Sequence, residues 1–185
     1  MRRLLCVLLL CATPALAQAP SSGQARRVAL DRMLDQLKTA QSEAEAASIE
    51  ARVEHIWIEQ GSPAVTLLVS RGLRNLEAGA NQEAVDDFNA ALVLDPSVAE
   101  IWHQRALARF ALGDTRGAIR DIEETLKREP RHFAALRTLA RIAASRQDWK
   151  GAYAAWQKLL EIDPKTPGGV EKLKDLKRRA LGDVT

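Results

Sequence analysis

The chain has 185 residues, enough for one domain of modest size, and 46% of them are hydrophobic while 4% are aromatic. Its formal charge is +3, but Arg2 and Arg3 lie in a segment that we expect to be removed. Without them, 25 basic and 24 acidic side chains remain, a net of +1. This balance argues against a general binder of nucleic acid or of membrane surfaces.

Residues 1–17 have the three-part layout of a secretory signal peptide. Two arginines precede the apolar run 4–12, and the segment ends in the A-x-A cleavage pattern at residues 15–17. The competing interpretation is a membrane anchor, but the run is about half of the roughly 20 residues that a spanning helix needs. We therefore expect cleavage after Ala17 and a periplasmic or secreted protein whose mature chain does not insert into a membrane.

The two cysteines of the chain, Cys6 and Cys11, both lie in this segment. Lipidation at Cys11 is an alternative to cleavage, but Leu10 stands where bacterial lipoprotein signals carry a small residue. The mature chain would contain no disulfide, thiolate nucleophile or thiolate metal site.

Residues 18–24 are polar and include Pro20 and Gly23, which predicts a disordered linker. Residues 25–61 carry two amphipathic helical patterns separated near Gln41, where Ser42 and Glu45 form a capping box. One interpretation of this N-terminal helical hairpin is a degenerate repeat that starts a stack. The other is a short coiled coil that dimerises, although fewer than three clean heptads are present.

Three segments of equal length follow without a gap: 65–98, 99–132 and 133–166. Each predicts two amphipathic helices, A and B, with small residues where the two helices approach closely. A proline closes each segment because it cannot continue helix B. The repeated places are the eighth (Gly72, Ala106, Ala140), the twentieth (Ala84, Ala118, Ala152), the twenty-fourth (Phe88, Ile122, Trp156) and the last proline (Pro96, Pro130, Pro164).

Two details of the repeats predict local structure. Gly79 and Gly113 follow helix A, where a left-handed residue ends a helix without a Cβ penalty. The third repeat has Gln147 at that place, so its turn departs from the pattern. Ser97 and Glu100 have the spacing of a capping box that opens the second repeat.

This pattern resembles the tetratricopeptide repeat (TPR), a helix–turn–helix unit of the same length. The resemblance implies an all-α fold, a right-handed α-solenoid of three helix pairs with helix A on the concave face. The N-terminal hairpin precedes the stack, and residues 167–185 are expected to form a C-terminal capping helix. The basic side chains of that helix are interpreted as a solvated face rather than as an RNA or lipid site.

The sequence shows no catalytic or metal-binding motif, and we expect neither an enzyme nor a metal or cofactor site. Its histidines, His55, His103 and His132, lie on different predicted helices or turns without metal-ligand companions. Acidic pairs such as Asp86 and Asp87 fall on helix B, where we expect them to be solvated.

The expected site is therefore a surface. In the family that the chain resembles, partners bind fixed places of helix A on the concave face. Carried over by position, these places give a groove of Val69, Leu73, Leu76, His103, Gln104, Leu107, Phe110, Arg137 and Arg141. Val69 and Leu73 stand where chaperone-binding members have Lys and Asn, so that type of partner is not expected.

Arg137 and Arg141 lie one helical turn apart with no acidic residue at the neighbouring groove places. This predicts a partner with a hydrophobic half and an acidic end. The alternative is that both arginines bridge to Glu171 or Asp175 on the last helix, or to solvent.

The predicted function is a monomeric, exported protein-interaction module or scaffold that binds a peptide or protein segment and no nucleic acid. In this respect it resembles exported TPR proteins of Gram-negative cell envelopes. The alternative is an accessory subunit that helps an envelope enzyme or a secretion complex to assemble.

Overall fold

The computed structural model describes residues 22–182. Within that range the chain is entirely helical apart from short connections, which confirms the predicted all-α class. The helices are α1 (Ser22–Lys38), α2 (Glu43–Ile58), α3 (Pro63–Glu77), α4 (Asn81–Leu94), α5 (Ala99–Ala111), α6 (Thr115–Arg128), α7 (Phe133–Ser145), α8 (Trp149–Ile162) and α9 (Gly169–Leu181). The expected signal segment, residues 1–17, lies outside the described residues, and none of the described helices is long and apolar enough to cross a membrane.

The three predicted repeats are the helix pairs α3–α4, α5–α6 and α7–α8. The helices of a pair approach closely: a Cβ atom added to Gly72 would lie 2.6 Å from the Phe88 ring. Ala106 and Ala118 at the corresponding contact of the second repeat are fully buried. Gln147 keeps the third turn by adopting φ 60°, close to the 76° of Gly79, so the departure in sequence does not change the turn.

The helix starts combine expected and unexpected caps. The Ser42 hydroxyl accepts the Glu45 amide at 3.1 Å, as predicted for a capping box. The Glu45 carboxylate accepts the amide of Gln41 at 2.8 Å, one residue before the cap, rather than the amide of Ser42 itself. The box predicted at the second repeat does not form, because Ser97 bonds to Asp95 and Glu100 is buried. Helix α1 begins at Ser22, so residues 22–24, predicted as linker, are helical.

An ion pair joins helix A to helix B in the first two repeats. Arg71 contacts Asp87 in the first, and Arg105 contacts Asp121 at 2.7 and 2.9 Å in the second. Arg109 adds a third charge-assisted hydrogen bond to Asp121 at 2.8 Å. The expectation that the acidic side chains of helix B are solvated is therefore wrong for Asp87, which is buried.

The N-terminal hairpin does not stack ahead of the first repeat. Its apolar side chains instead share one buried cluster with the third repeat, and the interface includes Leu34, Leu37, Val53 and Trp57 on the hairpin and Phe133, Leu136 and Leu159 on the repeat. The hairpin lies along the edge where one repeat is joined to the next, and Arg131 of the α6–α7 connection pairs there with Asp31 and Asp35. The degenerate-repeat interpretation is thus replaced by docking within the chain.

Helix α9 covers the other side of the third repeat. Leu176 is buried against it, and the Trp156 indole N–H donates to the Gly169 carbonyl at 2.8 Å. Val170, although apolar, is 49% exposed at the start of this helix. The third repeat is therefore enclosed by the two ends of the described chain.

Candidate binding groove on the concave face

The structure separates the predicted groove residues into three groups. Val69 is 1% exposed and belongs to the core of the first repeat, against which Leu73 and Leu76 also pack. Gln104 and Phe110 are half-buried. The remaining four line one pocket: His103, Leu107, Arg137 and Arg141.

This concave pocket, of about 450 Å³, lies where α5, α7, α8 and α9 meet, and its size is within the range of ordinary ligand sites. Its apolar lining comes from Leu107, Ala134, Ala140, Ala144 and Trp156. Its polar lining comes from His103, Thr138 and three cations, Arg137, Arg141 and Lys172. Sequence reasoning missed Lys172, because nothing in the repeat pattern shows that the capping helix reaches the concave face.

Arg137 is already neutralised by a residue of the hairpin. Its guanidinium donates to Glu50 of α2 and, at 3.1 Å, to the Thr166 hydroxyl. Burial raises the pKa of the Glu50 carboxyl to about 7, an effect that Arg137 opposes and the nearby Asp163 charge reinforces. The predicted bridge to Glu171 or Asp175 of α9 does not form among residues 22–182, where Asp175 binds Arg178 and Arg179 of its own helix and Arg141 is exposed to solvent.

Arg141 and Lys172 are exposed at the same pocket and, among residues 22–182, neither forms an ion pair. The Arg141 guanidinium carbon lies 5.3 Å from the centre of the Phe110 ring, a cation–π distance. The pocket thus joins an apolar lining to two cations that remain available to a ligand.

A buried polar network lies beside the pocket. Glu100 Oε2 contacts His132 Nε2 at 2.8 Å, and Glu100 Oε1 lies 3.4 Å from His103 Nδ1. His103 Nε2 in turn lies 3.2 Å from the Thr138 hydroxyl. The network connects the second repeat to the third, and Trp57 of α2 covers it by stacking on His132 with ring centres 4.0 Å apart.

His132 also caps α7, and this contact decides its protonation. Its Nδ1 atom accepts the Ala135 amide at 3.2 Å, so Nε2 carries the ring proton and donates to Glu100. Burial lowers the pKa of the His132 imidazole, which favours this neutral form, although Glu100 opposes the effect. Burial would raise the pKa of Glu100, but the two histidines outweigh it and hold that pKa well below its usual range.

The ligand-type atoms of Glu100, His103 and His132 lie within 4.8 Å of one another. A cation would need a ring nitrogen with a free lone pair, and both nitrogens of His132 are engaged in hydrogen bonds. The arrangement therefore suits a hydrogen-bond network rather than a metal centre.

Thr138, His103 and Glu100 also follow the order of nucleophile, base and orienting acid. Acyl transfer further requires hydrogen-bond donors at the position of the developing oxyanion. Thr138 lies inside α7, where the backbone N–H groups are engaged in the helix and do not form such a pair of donors. The contacts that the network does make join the second repeat to the third, which is a structural role.

The comparisons with known proteins agree with the fold. A family model described as tetratricopeptide repeat matches residues 103–167. A TPR repeat-containing protein of Rhizobium etli is 32% identical over 156 residues, which cover 84% of this chain and 76% of that protein. The chain belongs to the tetratricopeptide repeat family.

Two solved TPR structures resemble this TPR protein in fold. The first TPR of Spaghetti (RPAP3) bound to the HSP90 peptide SRMEEVD has a TM-score of 0.60 at 19% identity, covering 64% of this chain and 94% of that chain. The Sgt2 TPR domain from Aspergillus fumigatus has a TM-score of 0.59 at 25% identity, covering 64% of this chain and 80% of that chain.

Proposed function

We propose that this TPR protein is an exported protein-interaction module that binds a peptide or protein segment on its concave face. The observation that carries the proposal is the concave pocket, which remains open although α2 docks beside it. The fold itself supports it, since the RPAP3 domain of the same fold is described with a bound peptide. A chaperone tail is not the proposed ligand, because Val69 and Leu73 replace the cationic and amide side chains of that type of site.

Export is proposed from the pattern of residues 1–17. The mature protein is expected to begin at Gln18, which N-terminal sequencing or intact mass measurement of the protein from a host with a Sec pathway would test. Recovery of the full-length chain from the cytosol would contradict export without affecting the binding proposal.

Binding at the pocket can be tested with a photo-crosslinking amino acid placed at Leu107, in the pocket, or at Lys158, on the outer helix of the third repeat. The proposal predicts an adduct to a discrete partner from the Leu107 position and none from Lys158. Equal labelling from both positions, or none from Leu107, would contradict it. A partner that co-purifies in fixed stoichiometry and crosslinks only outside the pocket would favour the accessory-subunit alternative.

A further inference from the structure

The kind of partner can be narrowed from the charges of the pocket, provided that the proposed function holds. Three cations line it, from two helices: Arg137 and Arg141 on α7 and Lys172 on α9. Arg137 is occupied by Glu50, whereas Arg141 and Lys172 have no carboxylate partner within the described part of the chain. Two unneutralised cations at one pocket favour a ligand that brings negative charge.

The contact of α2 with Arg137 shows how this groove receives an acidic side chain. Glu50 projects from the middle of a helix, and Val53 and Trp57, at the following turns of the same helix, are buried against the third repeat. The protein therefore already binds a segment in which an acidic side chain and large apolar side chains share one face. Because Glu50 is an internal residue, such recognition does not need a free chain end.

The open pocket beside α2 offers the same two features, a cation for an acidic side chain and an apolar surface for a large side chain. Arg141 and Lys172 are exposed at its edge, and Leu107, Ala144 and Trp156 form apolar lining next to them. The contact of Arg141 with the Phe110 ring holds the guanidinium while leaving its N–H groups available to a carboxylate.

We propose that the concave pocket binds an internal segment of a partner protein in which an acidic side chain lies within one helical turn of a large apolar side chain. The acidic side chain binds Arg141 and Lys172, and the apolar side chain enters the lining beside Leu107. The segment lies alongside α2, which remains docked.

The test uses a phage-displayed library of random peptides, flanked by constant sequence so that no chain end is presented, selected on the purified protein. Selected peptides are then measured by fluorescence anisotropy against the wild type and the variant Arg141→Gln/Lys172→Gln. The matched control is Lys150→Gln/Lys158→Gln, which removes the same charge from the exposed face of α8.

The expected peptides combine Asp or Glu with Leu, Ile or Phe at one to four residues' separation. Neutralising Arg141 and Lys172 should weaken their binding about tenfold or more and reduce its salt dependence, while the control changes it less than about twofold. Peptides that bind the pocket without an acidic residue, or with unchanged affinity for the neutralised variant, would overturn the inference.

The variant Ala144→Trp separates this outcome from failure of the proposed function, since it fills the pocket without changing a charge; Ala144→Leu serves if the tryptophan variant does not fold. Peptides that bind the filled pocket more weakly than the wild type, but bind the Arg141→Gln/Lys172→Gln variant unchanged, would support the proposed function. That result would contradict the inferred preference for an acidic side chain. Selection of no peptide, or of peptides indifferent to the filled pocket, would contradict both.

Discussion

The first and third repeats join helix A to helix B by different contacts. In the first, Arg71 and Asp87 form an ion pair between helices A and B, and the outer face is bare, with Leu67 68% and Val93 83% exposed. In the third, Leu139 and Ala155 occupy the two corresponding places, 68 residues further on. Both contribute to the apolar cluster shared with the hairpin and α9.

The difference shows that the environment of a repeat decides how its two helices are joined. In the first repeat the Arg71 side chain is 58% exposed and keeps part of its hydration, and in the second repeat hydrogen bonds from Arg109 to Asp121 and from Arg105 to Asn89 compensate a buried pair. Enclosing a charged pair in the third repeat would add a desolvation cost that an apolar pair avoids. Because α1 and α2 cover the third repeat together with the following helix α9, the stability of this repeat depends in part on segments distant in sequence. The core of the first repeat is shared with the second repeat and is contacted by Ile58 of α2.

The largest expected effect comes from removing a side chain that packs the hairpin against the third repeat. Trp57→Ala leaves a cavity between α2 and α7 and should lower the free energy of unfolding by about 3–5 kcal/mol. Amide hydrogen exchange should accelerate in α7 and α8 while α3 and α4 keep their protection. Leu67→Ala, on the bare face, is the control and should change stability by less than about 0.5 kcal/mol. Uniform acceleration in both repeats would contradict the asymmetry.

In the second repeat, the ion pair between helices A and B can be replaced by the apolar pair found in the third repeat. Asp121→Ala leaves Arg105 and Arg109 without their acceptor and should cost about 3 kcal/mol, measured by urea denaturation. Arg105→Leu/Asp121→Ala installs the pair found in the third repeat and should cost less than the single change. A double variant less stable than Asp121→Ala would show that the apolar pair stabilises a repeat only where other helices cover it.

The Glu50 carboxyl makes the docking of α2 sensitive to pH. The unfolded chain releases this proton near pH 4.5, whereas the folded protein holds it to about pH 7. The folded state therefore binds more protons in this interval, and its free energy of unfolding should fall as pH rises, by about 1–3 kcal/mol in total.

Glu50→Gln, which imitates the protonated side chain, should reduce this decline when urea unfolding is compared at pH 5 and pH 8; burial also raises the pKa of Glu54, so part of the decline stays in the variant. The lowered pKa of His132 acts in the opposite direction, since stability from a neutral buried imidazole increases as pH rises toward its ordinary value near 6.5. This contribution is present in both proteins, so the difference between them reports on Glu50. An identical pH dependence in the two would contradict the assignment.

The smallest expected effect concerns the turns within the repeats. Gln147→Gly should stabilise the protein by about 0.5–1 kcal/mol, because glycine adopts the left-handed conformation without the strain of a side chain. Gly113→Gln should destabilise the second repeat by a similar amount, as seen in thermal unfolding. Two effects of the same sign would contradict this explanation.

The helix pairs could be predicted from the sequence because each depends on contacts within about one repeat. Small residues, turn glycines and closing prolines all recur at fixed places, and each has a local structural reason. The ion pairs could also have been found, since Arg71 and Arg105, like Asp87 and Asp121, repeat at the repeat length.

The docking of the hairpin could not be predicted in the same way. Apolar periodicity shows that a face of α2 is buried but not which surface buries it, and Glu50 lies 87 residues from Arg137. Glu100 was similarly misassigned as a capping residue because its partner His132 lies 32 residues further on, at the start of α7. The residues that line the concave pocket are set both by contacts within one repeat and by contacts between segments distant in sequence.

The docking of α1 and α2 against the third repeat also sets the order in which parts of the protein can fold. Asp31 and its partner Arg131 are 100 residues apart, so at about 5–20 residues per second the hairpin is synthesised roughly 5–20 s before its docking surface. During that delay, Leu34, Leu37 and Trp57 have no third repeat to cover them. The repeats can form by local contacts as they are made, but the first helices to be synthesised are among the last to gain their tertiary contacts.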